Sequence, residues 1–242
     1  MTGAIVVATL NVRNTADRWR DRAPLLVEQL VALDPDVIAL QEVRRFPDQA
    51  RRIAREGWEV RRTFKTGPKR AWEGLAVLSR LPFDGGTGRL RLRGQSRVAQ
   101  RVTVAVPGGG TLDVYNVHLA DGDETVRARQ ARRLLAWMGE RPDRPAVLVG
   151  DCNSRPGSAP VRALSARLRS AYAEVHGKEP PRTLVGGSGT VLDYVFVNDR
   201  VTVLAARLAF DQPAPDDPRL FPSDHFGLAA TIAVTRPVPA PG

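Results

Sequence analysis

Apolar segments that lead directly into a carboxylate, an amide or an imidazole constrain this chain more than any other feature. The clearest is Ala146–Asn153, in which four apolar residues precede Gly150, Asp151, Cys152 and Asn153. A short apolar run bounded by glycine is typical of a buried strand. An ionised Asp beside such a strand is costly to bury unless a metal ion or a cation compensates it. A strand followed by an ordinary Asx turn would give the same local pattern.

The same arrangement recurs along the chain. Related patterns occur at Ile5–Asn11, Val37–Glu42, Leu112–His118, Val191–Val197 and Ser223–His225. In open α/β sheets, functional groups gather where strands release the chain at their carboxyl ends. We therefore expect these polar side chains to meet and to form a hydrolytic metal site.

Hydrophobic periodicity predicts the elements between these segments. It indicates helices over Asp17–Leu33, with Asp21 as the N-cap, over Asp123–Met138, with Asp123 as the N-cap, and over Ser158–Leu168. A hairpin between Arg97–Val106 and Thr111–Val117 is predicted across a Pro-Gly-Gly-Gly turn. Helices thus alternate with strands, which is typical of an α/β protein.

The ordered motifs resemble those of the endonuclease/exonuclease/phosphatase superfamily, which has the DNase I-like fold. They are Thr9-Leu10-Asn11, Leu40-Gln41-Glu42-Val43, Asn116-Val117-His118-Leu119, Gly150-Asp151-Cys152-Asn153, Leu192-Asp193-Tyr194-Val195-Phe196 and Ser223-Asp224-His225. The resemblance covers about Ile5 to Val234. It implies an α/β fold built as a four-layer α/β sandwich, in which helices flank two facing mixed β-sheets.

Length and composition favour one domain over residues 1–235, followed by a Pro-rich tail at 236–242 that we expect to be disordered. Cys152 is the only cysteine, which excludes an internal disulfide framework. The N-terminal apolar run is too short for a signal peptide or a membrane segment. We therefore expect a cytoplasmic monomer without stable membrane association.

The charge of the chain is strongly positive. The formal net charge is +10, and 33 of the 36 basic residues are Arg. A positive field attracts phosphate-rich substrates such as nucleic acid, although the codon preference of a GC-rich genome would also enrich Arg. The basic loop Thr66–Trp72 could contact a phosphate or simply be solvated.

The resemblance implies a divalent cation, Mg²⁺ or Mn²⁺, held chiefly by Glu42 with Asn11 and Asp224. Carboxylate and amide oxygens suit such hard cations. From the residues alone, Glu42 could instead pair with Arg44 or Arg45, and Asn11 could cap a turn.

The resemblance also gives catalytic roles to four residues of the later motifs. Asp151 would position and deprotonate the attacking water, and Asn153 would donate hydrogen bonds to the phosphoryl oxygen. His225, held by Asp193, would bind the phosphate or carry a proton.

Asn116 and His118 share one face of their strand because strand side chains alternate. By resemblance, His118 contacts the scissile phosphate or protonates the leaving oxygen, and Glu73 orients it, as a carboxylate that fixes an imidazole tautomer. From the residue alone, a lone His could be structural. We expect Asn116 and Arg101 to bind the phosphate, with an exposed sheet face as the alternative for Arg101.

The Asn-Val-His pattern differs from that of the abasic-site endonucleases. It points towards the branch with DNase I, sphingomyelinases and deadenylases. Three functions fit the chain: a phosphodiesterase or nuclease acting on DNA or RNA, a phosphatase or phosphodiesterase for a small phosphorylated metabolite or lipid headgroup, and a non-catalytic binding protein on the same fold. The complete residue set favours a hydrolase, and the sequence shows no apolar hairpin typical of membrane-acting enzymes.

Overall fold

The computed structural model describes residues 3–66 and 72–234. These residues form two six-stranded sheets that face each other, with helices on both outer sides. The predicted four-layer α/β sandwich with mixed sheets is confirmed. The predicted disordered tail and residues 67–71 of the basic loop lie outside the described residues.

The strands, in chain order, are β1 (Ile5–Asn11), β2 (Val37–Arg44), β3 (Glu59–Phe64), β4 (Glu73–Ser79), β5 (Gly88–Arg91), β6 (Val98–Ala105), β7 (Thr111–His118), β8 (Ala146–Asp151), β9 (Arg169–Ser170), β10 (Asp193–Val197), β11 (Val201–Ala209) and β12 (Gly227–Val234). The helices are α1 (Trp19–Leu33), α2 (Gln49–Ile53), α3 (Glu124–Met138), α4 (Ala159–Ser165) and α5 (Ala171–His176).

Each sheet has a parallel pair of strands at its centre. The first sheet has the order β11-β12-β1-β2-β4-β3 and the second β5-β6-β7-β8-β10-β9. β1 pairs in parallel with β2, and β7 pairs in parallel with β8, whereas the other neighbours are antiparallel. The carboxyl ends of these four central strands therefore lie towards the same end of the sandwich.

Three apolar clusters hold the layers together. One lies between the sheets and contains Val7, Val114 and Val149. A second packs the second sheet against α3 and α4, and a third packs the first sheet against α1 and α2. Cys152 is buried in the second cluster, as the alternation of the strand predicts.

The space between the sheets is apolar at one end and polar at the other. On β1, Val7 and Asn11 both face this space, and on β7 Val114 and His118 do so. Burying polar groups here requires partners, because an unpaired buried polar group costs free energy. The polar end is therefore where a network of side chains is expected and where the candidate site lies.

One prediction about an element is corrected by the structure, and four elements were not predicted. Asp21 does not cap α1, which begins at Trp19 after Arg18 in a left-handed conformation, and Asp21 instead pairs with Arg18 across the first turn. The elements β5, β9, β11 and α5 were not predicted. In β11 a register shift between Val203 and Ala205 breaks the period of two on which strand prediction depends. Asp123 does cap α3, accepting a hydrogen bond from the Thr125 amide at 2.7 Å.

None of the helices in the described part of the chain combines the length and the hydropathy needed to cross a membrane.

Candidate active site

The Oδ2 atom of Asp151 is the focus of the polar end. Asn11 Nδ2 donates to it at 3.1 Å, His118 Nε2 lies 3.4 Å away, and His225 Nε2 lies 4.0 Å away. Asn11 and Asp151 come from opposite sheets, so this atom is contacted by side chains of both sheets. The structure thus brings together residues from four of the motifs.

The backbone around Asp151 is shaped to place it there. Gly150 has φ +132°, and a Cβ at this position would lie 2.1 Å from the Val117 carbonyl oxygen, so only glycine lets β8 approach β7 this closely. Asp151 Oδ1 accepts a hydrogen bond from the Asn153 amide at 2.8 Å. Asp151 therefore forms an Asx turn through Oδ1 while its Oδ2 lies at the focus.

Asn153 follows in a left-handed conformation with φ +46°. Its Nδ2 donates to the Leu119 carbonyl oxygen at 3.1 Å. The amide is thus fixed beside the focus, close to the end of the strand that carries His118.

A bulge in β2 delivers Glu42. The register against β4 shifts between Leu40 and Val43, and Glu42 has φ +56°. With strict alternation Glu42 would share the face of Leu40, which packs against the helices, so the extra residue turns Glu42 towards the second sheet. Asn11 Nδ2 donates to Glu42 Oε1 at 3.3 Å, and one amide therefore links the carboxylates of Glu42 and Asp151.

Asp193 and His225 form a buried acid–imidazole pair. His225 Nδ1 donates to Asp193 Oδ2 at 2.8 Å, and Thr183 Oγ1 accepts a hydrogen bond from the Asp193 amide at 3.2 Å. Burial opposes the charge on His225, but the Asp193 and Asp151 carboxylates outweigh it and raise the pKa of His225 to about 10. The structure therefore presents an imidazolium whose Nε2 faces Asp151.

The loop formed by residues 177–189 packs against the segment that carries His225. Leu184 forms a β-bridge with His225, and the Val185 amide donates to the Asp224 carbonyl oxygen at 2.8 Å. This loop therefore helps to fix the position of the imidazole.

Arg97 sets the tautomer of His118. Arg97 Nη1 lies 2.9 Å from His118 Nδ1, and because a guanidinium can only donate, Nδ1 must be the acceptor. Burial and the Arg97 charge lower the pKa of His118 well below 6.5. His118 is therefore a neutral imidazole that carries its proton on Nε2, directed at the focus.

The structure does not bring Glu73 to His118. Glu73 forms an ion pair with Lys65, and Asn14 Nδ2 lies 3.2 Å from Glu73 Oε2 and 3.4 Å from Glu42 Oε2. Glu73 therefore lies beside Glu42 and not beside His118. The Arg97 guanidinium occupies the position next to His118 where the orienting carboxylate was expected.

Asp224 lies at the rim of the site. Its Oδ2 forms an ion pair with Arg13 Nη1 at 2.7 Å, and its Oδ1 accepts a hydrogen bond from Ser223 Oγ at 3.2 Å. It contributes negative potential at Glu42 and His225 without a direct contact to either.

The two residues expected at the substrate phosphate are placed elsewhere. Asn116 is fully buried between the sheets, where its Nδ2 donates to the Leu40 and Ala76 carbonyl oxygens at 3.1 and 3.0 Å. Arg101 pairs in register with Tyr115 and lies 5.5 Å from the Trp137 ring, on the side that faces α3. Strand alternation puts Arg101 on the opposite face from the site, so neither side chain reaches the focus.

The donor set fits a divalent cation. The carboxylate of Glu42 is largely withdrawn from water and lies near Glu73 and Asp224, and burial followed by these charges raises its pKa. Within the described residues, its nearest imidazole nitrogen is His118 Nε2 at 3.9 Å, which is neutral, and no Lys or Arg forms an ion pair with it. Such uncompensated oxygens are what a hard cation requires.

Asp151, Asp193 and His225 offer a second candidate set, with ligand atoms within 4.8 Å of one another. The 2.8 Å hydrogen bond between Asp193 and His225 leaves no room for an ion between those two atoms. Burial and the neighbouring Asp193 raise the pKa of Asp151 to about 6. A cation held at Glu42 would lie close to Asp151 and would lower the electrostatic cost of burying both carboxylates.

A model of the endonuclease/exonuclease/phosphatase family matches residues 8–225 of this sequence. The chain belongs to this family. Nucleases and phosphatases both hydrolyse phosphoric esters, so membership in the endonuclease/exonuclease/phosphatase family gives the coarse reaction class.

Solved structures share the fold over almost the whole chain. A conserved protein of unknown function from Enterococcus faecalis V583 is 22% identical, with a TM-score of 0.82 over 95% of this chain and 100% of that one. The human Nocturnin catalytic domain with bound sulfate is 23% identical, with a TM-score of 0.79 over 96% and 94%. The mannosyl-6-phosphatase Bt3783 of Bacteroides thetaiotaomicron is 19% identical, with a TM-score of 0.81 over 95% and 99%. These likenesses establish the fold.

One curated relative is the inositol phosphosphingolipids phospholipase C of Saccharomyces cerevisiae. The alignment of 177 positions is 28% identical and covers 60% of this chain and 36% of the relative. The chain thus spans about a third of the length of that relative.

Four residues near the focus were not predicted from the sequence. They are Arg13, Asn14, Arg97 and Thr183. None of them lies in one of the family motifs. Each contacts a site residue that is distant in sequence or lies across a turn. The tertiary fold supplies the partners, so a single sequence offers no signal for these positions.

Proposed function

We propose that this protein is a phosphodiesterase that uses Mg²⁺ or Mn²⁺ to hydrolyse a P–O bond of a phosphoric diester. One observation carries the proposal: Asn11, His118 and His225 converge on Asp151 Oδ2, with Glu42 joined to the same Asn11 amide. A non-catalytic protein would have no need for a buried carboxylate between a neutral and a charged imidazole.

Glu42, with Asn11 beside it, would hold the cation, and Asp151 would remain free to act as the base. When bound, the cation would neutralise charge on the phosphate and orient it for attack. Asn11 Nδ2 holds the two carboxylates at a fixed separation, so the site is organised before the cation arrives. Asp224 and Glu73 add negative potential from the rim.

The side chains divide the proton transfers between them. Asp151 would accept a proton from the attacking water while the water oxygen bonds to phosphorus and the ester P–O bond breaks. His225, as an imidazolium held by Asp193, would give its Nε2 proton to the leaving oxygen. The products are a phosphomonoester and an alcohol, so atoms and protons balance.

Two neutral donors would stabilise the charge that builds on the phosphoryl oxygens. His118 presents its Nε2 proton because Arg97 holds the other nitrogen as an acceptor. Asn153 would donate from its amide after releasing the Leu119 carbonyl oxygen. Removing one such donor typically raises the barrier by about 2.7–4 kcal/mol.

A nucleic acid strand is the proposed substrate, supported by the net charge of +10. The second candidate is the phosphodiester of a sphingolipid headgroup, supported by the 28% identity to the yeast phospholipase C. Both substrates contain the same reacting bond. We also propose that the protein is a monomer, which light scattering would test. We propose that it acts in a reducing cytoplasm, which cell fractionation would test.

The test is hydrolysis by the purified protein with Mn²⁺ or Mg²⁺ and with EDTA. The substrates are bis-p-nitrophenyl phosphate, single- and double-stranded DNA, RNA, p-nitrophenyl phosphate and an inositol phosphosphingolipid. We expect cleavage of the diesters that requires metal and falls at least about a hundredfold in Asp151→Asn. Asp199→Asn, an exposed acid far from the focus, is the matched control and should keep full activity. Metal-independent turnover, or full activity in Asp151→Asn, would contradict the proposal.

A further inference from the structure

Two large aromatic rings lie exposed side by side next to the candidate active site. Phe46 and Trp72 are 57% and 50% exposed, and their ring centroids are 5.6 Å apart. The Arg45 amide donates to the Trp72 carbonyl oxygen at 2.7 Å, which ties the two segments together where β2 meets β4. Adjacent exposed rings on a surface mark an interaction site more often than a solvated one.

Cations line a cleft beside these rings. The cleft has a volume of about 400 Å³ and is lined by Arg45, Arg62, Thr63, Phe64, Lys65, Thr87 and Arg89. The Arg45 guanidinium lies 5.4 Å from the Phe46 ring and 5.3 Å from the Phe64 ring. We call the cleft together with Phe46 and Trp72 the aromatic–basic cleft.

Two of these cations lack an acidic partner. Arg62 forms an ion pair with Asp48 and Lys65 with Glu73. Arg45 and Arg89 form no ion pair with any carboxylate of the described residues, and Arg89 Nη2 donates only to the Phe64 carbonyl oxygen at 2.9 Å. Their charge is therefore available to an anionic ligand.

The aromatic–basic cleft is continuous with the catalytic acids. Lys65 contacts Glu73, and Asn14 bridges Glu73 and Glu42. The positive potential of Lys65 reaches Glu42 and opposes the rise in its pKa. A polymer whose phosphodiester lies at Glu42 would therefore extend into the cleft.

We propose that the aromatic–basic cleft binds the unpaired stretch of a nucleic acid strand next to the scissile phosphodiester. The bases would stack on Phe46 and Trp72, and the phosphates would lie against Arg45 and Arg89. This inference rests on the proposed phosphodiesterase function and names its substrate as a single-stranded nucleic acid.

The combination of features favours this ligand over the alternatives. Aromatic side chains beside a cationic groove are how proteins bind single strands without reading sequence. In a duplex the base faces are already stacked and not accessible to Phe46 and Trp72. A bilayer is flat, and would not reach cations that line a concave cleft.

The first experiment measures binding of a short fluorescently labelled single strand by anisotropy, with EDTA present so that the strand is not cut. Phe46→Ala/Trp72→Ala should weaken binding at least about fivefold, which is the smallest loss of affinity expected when one base can no longer stack on an aromatic ring. A backbone of equal length without bases should bind the wild type and this variant alike. The control Val175→Ala/Leu204→Ala removes two other exposed apolar side chains and should bind as the wild type.

The second experiment measures the contribution of charge. Arg45→Ala/Arg89→Ala should weaken binding of both strands and reduce the slope of log affinity against log salt by about 1.4, because each lost phosphate contact contributes about 0.7. Arg129→Ala/Arg132→Ala removes two exposed arginines of α3 and should leave the slope unchanged. Thermal unfolding of each variant establishes that it is folded.

Three results would overturn the inference. The first is a wild type that does not bind the single strand. The second is a folded Phe46→Ala/Trp72→Ala variant that binds the strand as the wild type does. The third is that this variant keeps binding to the strand and loses binding to anionic phospholipid vesicles. The last would identify a membrane-docking surface. Hydrolysis of bis-p-nitrophenyl phosphate by the wild type tests the proposed function separately, because this small diester does not need the cleft.

Discussion

His225 shows how one residue gains its chemistry from its neighbours. Its Nδ1 is bound to Asp193 and its Nε2 faces Asp151, so a buried imidazole carries a charge that burial alone would remove. His118, on the other side of Asp151, is kept neutral because its nearest partner is the Arg97 guanidinium. In the proposed mechanism these two imidazoles have different tasks, one to give up a proton and one to donate a hydrogen bond.

Replacement of Asp193 by Asn should lower the pKa of His225 from about 10, because burial then opposes the charge with less compensation. Imidazole NMR in the metal-free protein measures this, and with three histidines in the sequence the signals are separable. Since the folded pKa lies above the ordinary 6.5, the protonated ring stabilises the fold below about pH 6.5, and this contribution is lost as the pH rises towards 10. An unchanged pKa in Asp193→Asn would contradict this account of the pair.

Arg97→Gln should lower kcat for a diester at least about tenfold, because His118 can then place its proton on Nδ1 and present an acceptor to the phosphate. Nitrogen chemical shifts of His118 report the tautomer directly, a readout that a purely structural role would leave unchanged. Arg93→Gln, at an exposed residue of the same loop, is the matched control. A variant that keeps the wild-type tautomer and rate would show that Arg97 only packs.

At the scale of elements, irregular backbone brings the functional side chains to the focus. The bulge in β2 turns Glu42 away from the helices, and Gly150 lets β8 close against β7 just before Asp151. Without these two departures from regular strands, the two carboxylates would not face the same amide of Asn11. β-bulges often lie next to active sites for this reason.

Gly150→Ala should cost at least about 2 kcal/mol of unfolding free energy, because a Cβ would overlap the Val117 carbonyl oxygen in a conformation that already disfavours side chains. Gly57→Ala separates the two causes, since Gly57 also has positive φ but a Cβ there would meet nothing within 4 Å. We expect Gly57→Ala to cost about 1 kcal/mol or less. Urea unfolding measures both, and equal losses in the two variants would show that crowding at Gly150 is unimportant.

At the scale of the whole molecule, the site joins the two sheets. Asn11 and Glu42 come from one sheet, and His118, Asp151 and Asp193 come from the other. The carboxylates therefore oppose the closure of the sandwich at this end unless a cation lies between them. A bound cation should stabilise the whole fold, since it binds the native arrangement and has no preformed site in the unfolded chain.

Mg²⁺ or Mn²⁺ at a hundred times its dissociation constant should add about 2.7 kcal/mol of unfolding free energy and raise the melting temperature. Glu42→Gln should remove most of this gain, while Asp199→Asn, an exposed acid outside the site that pairs with Arg169, should retain it. Differential scanning calorimetry with and without EDTA measures the difference. Equal metal stabilisation in Glu42→Gln would place the cation elsewhere.

The alternation of strands and helices, and the polar residues at the strand ends, were predictable from the sequence because both depend on local patterns, whereas the four-layer arrangement and the roles of the site residues were implied by the resemblance to the family. Alternation along β1, β7 and β8 determines which residues face the other sheet, and the last of them on each strand are Asn11, His118 and Asp151. The N-cap at Asp123 and the burial of Cys152 follow from equally local rules. Strand period and capping act within a few residues, so the order of residues alone carries that information.

Only the tertiary structure decided which partners these residues have. Asp193 and His225 lie at the amino ends of β10 and β12, which reach the site because these strands run antiparallel to β8 and β1. Arg97 contacts His118 in place of Glu73 because it directly precedes β6, which pairs with β7. Contacts between distant segments depend on register and on backbone irregularities, and neither is encoded in the period of a single strand.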